Sequence, residues 1–258
     1  MSVFQNNLLA AAASSAGGGG YTLWGWGNNT NGQLGLGDTT NRSSPVQIGS
    51  DTDWLNIFAG GQQEQGHSFA IKSDYSLWAW GKNTSGALGL DDTTARCSPT
   101  QVGSLTDWKY LHIGKANVGA VKTDGTLWGW GNQGSEGYLG TGTGTNTTYS
   151  SPVQIGSLTT WKNPFQSRTF GFGQKTDNTL WLWGNYSISG GNDNHGNQNS
   201  PAQMGSDSVW ANMIVGTGSG MAVRTDGTLW GWGYGDKGRI DHGNQTNYSS
   251  PVQVGTDT

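Results

Sequence analysis

Large apolar side chains recur along this chain in short alternating runs, separated by polar and glycine-rich stretches. The pattern Leu-Trp-x-Trp-Gly begins at Leu23, Leu77, Leu127, Leu180 and Leu229, at spacings of 54, 50, 53 and 49 residues. Because the two tryptophans of each copy are two residues apart, a β-strand places both on one face. The leucine and the small residue between the tryptophans then lie on the other face. The pattern therefore predicts five strands and not helices.

All fourteen tryptophans belong to this repeat. Ten lie in the five motifs, and the other four each stand nine residues after the proline of a Ser-Pro-x-Gln-x-Gly segment. Since one residue type recurs at fixed places, we predict that these indoles form the structural core. The predicted core residues are Trp24, Trp26, Trp54, Trp78, Trp80, Trp108, Trp128, Trp130, Trp161, Trp181, Trp183, Trp210, Trp230 and Trp232.

A turn precedes four of the five motifs. Asp124-Gly125 and Asp226-Gly227 predict tight hairpins of the primed type, because glycine adopts a positive φ at little cost. Asn178 and Tyr75 stand at the same point of the repeat, and Tyr75 fits a positive φ least well. Each full repeat therefore reads as four short strands.

Four antiparallel strands in a repeat of about fifty residues predict a blade of a β-propeller. The segments Trp26-Gly27-Asn28, Gly32-Gln33-Leu34-Gly35-Leu36-Gly37-Asp38, Ser44-Pro45-Val46 and Ala70-Ile71-Lys72 resemble the repeat of the regulator of chromosome condensation (RCC1-like) family. The resemblance covers roughly residues 21–258. Tandem repeats of Leu-Trp-x-Trp-Gly and Ser-Ser-Pro-Val-Gln-Ile-Gly are similar to those of bacterial and bacteriophage members of the family. It implies an all-β propeller, and closed rings of this family usually have seven blades.

The repeat count predicts four complete blades plus an outer half-blade at the start of the chain. We expect the ring to remain incomplete unless further sequence or another chain completes it. The chain is thus divided into a leader, residues 1–20, and an RCC1-like propeller domain, residues 21–258.

The leader differs in composition from the repeats. Phe4, Leu8 and Leu9 lie at helical spacing, and Gly17 to Gly20 form a flexible connector. One interpretation is a frayed tail. The other is a short segment that anchors the propeller on a partner through these three side chains.

Charge excludes one class of partner. The net charge is −4, only 12% of residues are charged, and the five arginines and eight lysines are spread singly. Nucleic-acid binding would need clustered cations, so no nucleic-acid partner is predicted. No stretch approaches the roughly 20 apolar residues of a membrane span.

Groups that could perform catalysis are scarce. The two glutamates are Glu64 and Glu136, and His67 is read as a structural residue near the inner strands. The single cysteine, Cys97, replaces a serine found in other repeats. No catalytic residue, cofactor site or metal site is predicted, and the chain is read as a non-enzyme.

Two further groups of polar residues have simple explanations. The loops around His195 and His242 could bind an ion, but turn chemistry explains their Asp, Asn and Gly residues. A cation also recurs after each alternating run. We expect these four side chains to line solvated strand faces or the central channel, where a partner's carboxylates could meet them: Lys72, Lys122, Lys175 and Arg224.

Several functions fit such a chain. The leading hypothesis is a structural binding propeller on a virus particle, a bacteriophage appendage or capsid-decoration protein, and thus a virion or extracellular location. Its partners would be virion or scaffold proteins through the leader and a host-surface protein or glycan through the loops after Gly60, Gly131, Gly184 and Gly233. An oligomer is possible. The alternatives are a secreted or cytosolic protein-binding propeller, acting as an inhibitor or a GTPase exchange factor, and a tryptophan-based ultraviolet sensor.

Overall fold

Short antiparallel strands account for almost all regular structure in the part of the chain that the structure describes. The computed structural model describes residues 8–13, 20–60, 66–185, 197–216, 218–240 and 242–255. Within these ranges the regular helix is a single 3-10 turn, Asp236–Gly238. The strands are β1 Leu8–Ala13, β2 Tyr21–Gly27, β3 Arg42–Gln47, β4 Trp54–Gly60, β5 His67–Lys72, β6 Leu77–Gly81, β7 Arg96–Gln101, β8 Trp108–Ile113, β9 Asn117–Lys122, β10 Leu127–Asn132, β11 Thr148–Gln154, β12 Trp161–Gln166, β13 Phe170–Lys175, β14 Leu180–Gly184, β15 Gln198–Gln203, β16 Trp210–Val215, β17 Ser219–Arg224, β18 Leu229–Gly233 and β19 Tyr248–Gln253.

The strands form five blades in chain order. Strands β4–β7, β8–β11, β12–β15 and β16–β19 make the second to fifth blades, each a four-stranded antiparallel meander. The first blade contains β1–β3 and is joined to the second by one bridge, Tyr21 with Trp54. The first strands of neighbouring complete blades contact each other, so β4, β8, β12 and β16 are the inner strands. The prediction of an all-β propeller with four complete blades is confirmed.

The two faces of each Leu-Trp-x-Trp-Gly strand pack in different directions. Leu77 and Ala79 of the second blade share a buried cluster with Trp108 and Trp130 of the third. The same leucine-against-tryptophan contact recurs at the other three interfaces. Each blade therefore covers the indoles of the next one, and stacking buries apolar surface that one sheet could not bury alone.

The tryptophans divide into two groups by burial. Those at the start of the inner strands and the second of each motif in the complete blades are at most 3% exposed: Trp54, Trp80, Trp108, Trp130, Trp161, Trp183, Trp210 and Trp232. Six others are half-buried: Trp24, Trp26, Trp78, Trp128, Trp181 and Trp230. No indole in the chain is exposed.

The end blades each leave one face without a neighbouring blade among the described residues. On the fifth blade Val223 is 37% exposed, whereas Ile71 and Val121, at the same repeat position, are at most 1% exposed. On the first blade Trp26 is half-buried, although its four counterparts are fully buried. The difference follows from the stacking order, since only interior blades are covered on both faces.

The leader takes part in the first sheet. Strand β1 pairs along β2, with Leu8 opposite Trp26 and Leu9 opposite Gly25. This is the register in which β5 pairs with β6. Residues 8–13 are therefore a strand, and not the helix that the spacing of the leader's apolar residues indicates. The first blade has three strands where two were expected. Phe4 lies outside the described residues, and the division of the chain at residue 20 stays a prediction.

The hairpin turns between the second and third strands are not of the primed type. Positive φ angles occur at one position of each turn, 64° at Tyr75 and Asn178, 79° at Gly125 and 89° at Gly227. The residue before it accepts a hydrogen bond on its side chain, as when the Ser76 amide donates to Asp74. This is a type I turn followed by one left-handed residue. Tyr75 adopts the positive φ expected at this position. That it is the least favourable residue of the series stays a prediction, since a bulky side chain is costly at that φ.

Replacement of Tyr75 with glycine should raise the free energy of unfolding by up to about 1 kcal/mol. Relief of the left-handed strain exceeds the entropy that glycine adds to the unfolded chain. Urea unfolding followed by circular dichroism would measure the difference. Asn178→Gly is the matched control and should change stability less, since asparagine tolerates this conformation better. A lower stability for Tyr75→Gly would contradict the prediction.

Candidate binding site

One end of the blades forms a continuous surface, which we call the turn rim. It consists of Tyr21 at the start of β2, the hairpin turns 73–76, 123–126, 176–179 and 225–228, and the loops 49–53, 103–107, 156–160 and 205–209. Within a blade, turn and loop are joined by a backbone hydrogen bond, such as Thr123 N–H to Asp107 O at 2.8 Å. Between blades, Trp108 N–H donates to Tyr75 O at 3.1 Å. The bond within a blade recurs in all four complete blades, and the bond between blades recurs at the three interfaces between complete blades. Together they hold the rim as one rigid edge.

Each complete blade carries a cation between two indoles just beneath this rim. In the third blade, Lys122 Nζ lies 4.8 Å from the ring centroid of Trp108 and 4.0 Å from that of Trp128. The first ring belongs to the inner strand, the second to the Leu-Trp-x-Trp-Gly strand. The cation is the last residue of the strand between them and pairs across the sheet with the inner tryptophan. We call these sites the cation cradles: Lys72 with Trp54 and Trp78, Lys122 with Trp108 and Trp128, Lys175 with Trp161 and Trp181, and Arg224 with Trp210 and Trp230.

Hydrogen bonds fix the outer ring of every cradle. Trp128 Nε1 donates to the Thr126 hydroxyl at 2.8 Å, and that hydroxyl donates to Asp124 at 2.7 Å. The same chain is found at Thr179 and Thr228. Because these hydrogen bonds hold the ring in place, the cation keeps a cation–π contact on both sides. The expectation that the four cations line solvated strand faces or a channel is wrong for Lys122 and Lys175, which are buried, whereas Lys72 and Arg224 are half-buried.

Aspartates of the rim loops complete three cradles. Lys72 Nζ lies 2.7 Å from Asp51 and 3.2 Å from Asp53, and Lys122 Nζ lies 3.3 Å from Asp107. Arg224 forms an ion pair with Asp207. Within the described chain, no carboxylate lies within ion-pair distance of Lys175. The fourth cradle is therefore different from the other three.

The pKa directions of the two lysines reflect this difference. Burial lowers the pKa of Lys72, but hydrogen bonds with Asp51 and Asp53 outweigh it, and the net pKa is raised. Burial also lowers the pKa of Lys175, and there the charge of Asp177 offsets only part of the effect. The ammonium of Lys175 is thus less stabilised than that of Lys72.

Large apolar side chains are exposed on the same rim. Tyr21 is 36% exposed, Tyr75 42%, Leu105 46% and Leu158 47%. One belongs to each of the first four blades. Beside Leu105, a cleft of about 300 Å³ between the second and third blades is lined by Leu90, Trp108, Trp128 and Pro152 among others.

The opposite end of the blades, the loop rim, is held by buried amides. Asn83 Nδ2 donates to Asp92 O and Oδ1 at 2.9 and 3.0 Å, and Leu88 N–H donates to Asn83 Oδ1. Asn29 makes the same contacts in the first blade. Of the loops expected to bind a partner, residues 61–65 and 186–196 lie outside the described residues.

The other candidate groups do not converge on a reaction centre. Glu136 accepts a hydrogen bond from the Tyr138 hydroxyl at 3.0 Å, and buried His67 packs edge-on against Phe69. His242 packs against Tyr248, and Cys97 is half-buried and carries a free thiol. Glu64 and His195 lie outside the described residues. Among those that the structure describes, no three His, Cys, Asp or Glu residues are grouped as metal ligands.

Burial also affects one histidine outside the rims. The pKa of His112 is lowered by burial, and its Nδ1 accepts a hydrogen bond from Gln166 N–H at 2.9 Å. This bond joins the inner strands β8 and β12, so His112 has a packing role.

In the described ranges, no helix is long and apolar enough to cross a membrane.

Comparison with known proteins agrees with the repeat and the fold. The model of the regulator of chromosome condensation (RCC1) repeat matches residues 22–71 and 75–121. Residues 22–121 therefore carry repeats of the RCC1 type. The matched residues include β2 and β3 of the first blade, the four strands of the second blade, and β8 and most of β9 in the third.

Curated relatives share only short stretches with this chain. The human probable E3 ubiquitin-protein ligase HERC3 is 37% identical over 91 residues, 34% of this chain and 8% of the ligase. The ultraviolet-B receptor UVR8 of Arabidopsis thaliana is 40% identical over 80 residues, 31% of this chain and 18% of the receptor. The chain thus spans less than a fifth of these relatives.

Solved structures share the fold over nearly the whole chain. Human WBSCR16 superposes with a TM-score of 0.76 at 18% identity, covering 91% of this chain and 62% of that one. Yeast RCC1 (Prp20), solved bound to Kap60, gives 0.76 at 16% identity, covering 91% and 57%. At such identities the similarity shows the propeller fold alone.

Proposed function

We propose that this RCC1-like chain is a non-enzymatic, protein-binding propeller that contacts its partner through the turn rim. The observation that carries the proposal is the row of exposed apolar side chains, Tyr21, Tyr75, Leu105 and Leu158, along one rim of four successive blades. Tyrosines and leucines grouped on one surface give a partner apolar area to bury.

The rim is also well prepared for binding. Its turns and loops are held by recurring backbone hydrogen bonds, and cation cradles anchor the strand ends beneath them. A surface that is already rigid loses little conformational entropy when a partner docks. The cleft beside Leu105 offers space for a side chain of the partner.

The similar structures support protein binding as the general role. Yeast RCC1 (Prp20) was solved bound to Kap60, and binding of Prp20p to Gsp1p and histones has been described. Those partners belong to the yeast protein. For this chain we carry over only the class of activity, binding of a protein. Ligase activity is not carried over from HERC3, because the match covers 8% of that protein.

A benzoylphenylalanine residue placed at position 75 should cross-link to the partner in the producing cells, and the cross-linked protein can be identified by mass spectrometry. Tyr75→Gly should then weaken binding of that protein at least about tenfold, the loss of one apolar anchor, although the variant is the more stable protein. Tyr234→Ser, an exposed tyrosine beyond the loop-rim end of β18, is the control and should bind normally. If the double variant Tyr75→Gly/Leu158→Ser binds the partner as well as the unmodified chain does, the turn rim is not the interface.

We also propose a setting for this binding. The plain tryptophan, glycine and proline repeats behind a leucine- and alanine-rich leader support a component of a virus particle, an attachment or decoration protein of a bacteriophage. An anchoring role for Phe4, Leu8 and Leu9 belongs to this proposal. Mass spectrometry of purified particles should detect peptides of the chain in stoichiometric amount. Absence of the chain from particles of a virus that encodes it would refute the virion setting and leave the rim proposal standing.

A further inference from the structure

The four cation cradles are internal copies of one site, and they can be compared position by position. The residue immediately before the inner tryptophan is Asp53, Asp107, Thr160 or Val209 in the second to fifth blades. Its backbone carbonyl accepts a hydrogen bond from the residue after the cation in all four cases. These residues are therefore structurally equivalent.

A second equivalent position lies two residues earlier. It holds Asp51, Leu105, Leu158 or Asp207 in the same order. The second blade has an aspartate at both positions, and the third and fifth blades have one each, bonded to the cation. The fourth blade has leucine and threonine. Its cradle alone, among the four, has no acidic residue at either position.

The ammonium of Lys175 is nevertheless built into the fold like the others. The residue is 6% exposed, and Nζ lies 3.4 Å from the ring centroid of Trp181 and 5.1 Å from that of Trp161. Asp177 does not replace the missing carboxylate, because its equivalents Asp74, Asp124 and Asp226 accompany the paired cations as well. Asp177 also accepts hydrogen bonds from Thr179.

The empty position opens to solvent. Leu158 and Thr160 are exposed, as are Asp51 and Asp207, whereas Asp53 and Asp107 are half-buried. A carboxylate from outside could therefore reach the place that Asp107 Oδ2 takes beside Lys122. Such a carboxylate would stabilise the buried ammonium, since the two charges attract and the indoles exclude water.

We propose that the Lys175 cradle is a binding site for the side-chain carboxylate of an aspartate or glutamate on a partner protein. The partner's acidic side chain would complete the cradle as Asp53 and Asp107 complete theirs. Leu158, exposed beside the site, gives the same partner an apolar contact. This inference rests on the turn rim being the protein-binding surface, and it specifies the chemistry of one contact there.

The test uses the full chain with isotope-labelled lysine and a blocked glutamate, N-acetylglutamate N-methylamide, as the probe. The two indoles shift the Lys175 side-chain resonances away from those of exposed lysines, and Lys175→Arg assigns them. The probe should shift the Lys175 signals saturably, with a dissociation constant on the order of 10 mM, as expected of one weak polar contact. The Lys122 signals should stay unchanged, because Asp107 occupies that position. Blocked glutamine at equal ionic strength is the neutral control and should shift neither.

A pair of variants exchanges the two sites. Thr160→Asp should abolish the response at Lys175, and Asp107→Thr should create one at Lys122. If blocked glutamate does not shift the Lys175 signals in the unmodified chain, the proposal is overturned. An equal shift with blocked glutamine would overturn it as well. A response to free acetate but not to blocked glutamate would contradict a protein side chain as the source. The probe does not depend on the rim's partner, so failure of the rim proposal would be seen separately, in the Tyr75→Gly binding assay.

Discussion

Replacement of Trp130 with alanine is expected to lower the free energy of unfolding by about 3–5 kcal/mol. The indole is fully buried at the interface between the second and third blades. Its ring centroid lies 5.7 Å from that of Trp108 and 6.0 Å from that of Phe69. Its Nε1 donates a hydrogen bond to Ala87 O at 2.9 Å. Alanine removes all these contacts and leaves a cavity that rigid sheets fill poorly.

The matched control is Trp26→Ala in the first blade. Trp26 has the same place in the motif but is only half-buried, because no described blade lies against that face. Its loss should cost less than about 2 kcal/mol, since less apolar area returns to water. Urea unfolding followed by circular dichroism compares the two variants without relying on tryptophan emission. Equal losses would contradict the view that blade stacking, and not the indole itself, supplies the stability.

Replacement of Gly131 with alanine is expected to cost about 2–5 kcal/mol of stability, the sum of backbone strain and overpacking. Gly131 closes the Leu-Trp-x-Trp-Gly motif with a φ of 94°. An alanine Cβ there would lie 2.4 Å from Ala116 O and 2.8 Å from Asn117 Cα. Both are backbone atoms, one in the first residue of β9 and one in the residue before it, so the contact cannot be relieved by a side-chain rotation.

Gly129→Ala in the same strand is the control for Gly131→Ala. The second blade carries Ala79 at this position, fully buried, so the repeat accommodates a methyl group there. The nearest atom to an added Cβ is the end of the flexible Ile155 side chain, at 3.0 Å. The cost should be no more than about 1 kcal/mol. Thermal unfolding would separate the two variants, and a tolerated Gly131→Ala would show that the strand end can shift.

The motif glycine marks an irregularity that the repeat pattern could indicate only in part. In all five copies its φ lies between 93° and 103°. In the same place the register between the third and fourth strands shifts, as between Gly129 and Gly131. A glycine at a fixed point of every copy indicated a special backbone position. The sheet itself revealed that the position is a bulge.

The cation cradles show why the candidate site was missed from the sequence. A lysine or arginine stands six residues before the first motif tryptophan in the four complete blades, and this spacing was a usable signal. Alternation with apolar neighbours nevertheless indicated a solvated face. The position of the cation depends on rings from two other strands, and only pairing in the sheet brings the three side chains together. The missing carboxylate at Lys175 is recognisable only because the fold makes the four cradles equivalent, position by position.

The leader gives a second example. Phe4, Leu8 and Leu9 have helical spacing, yet residues 8–13 pair along β2 as a strand. Local spacing says little about so short a segment, because an open strand edge offers backbone hydrogen bonds that outweigh weak propensity.

The sequence by itself determined the fold class, the number of complete blades and the position of the left-handed turn residues. Those features depend on local alternation, repeat length and the φ preferences of single residues, all of which are written in neighbouring positions. Tertiary structure alone decided which side chains meet on the turn rim, how the cations are enclosed and which cradle is left without an acid. The physical reason is that these features join residues from separate strands and adjacent blades, whose distances are set by sheet register and stacking.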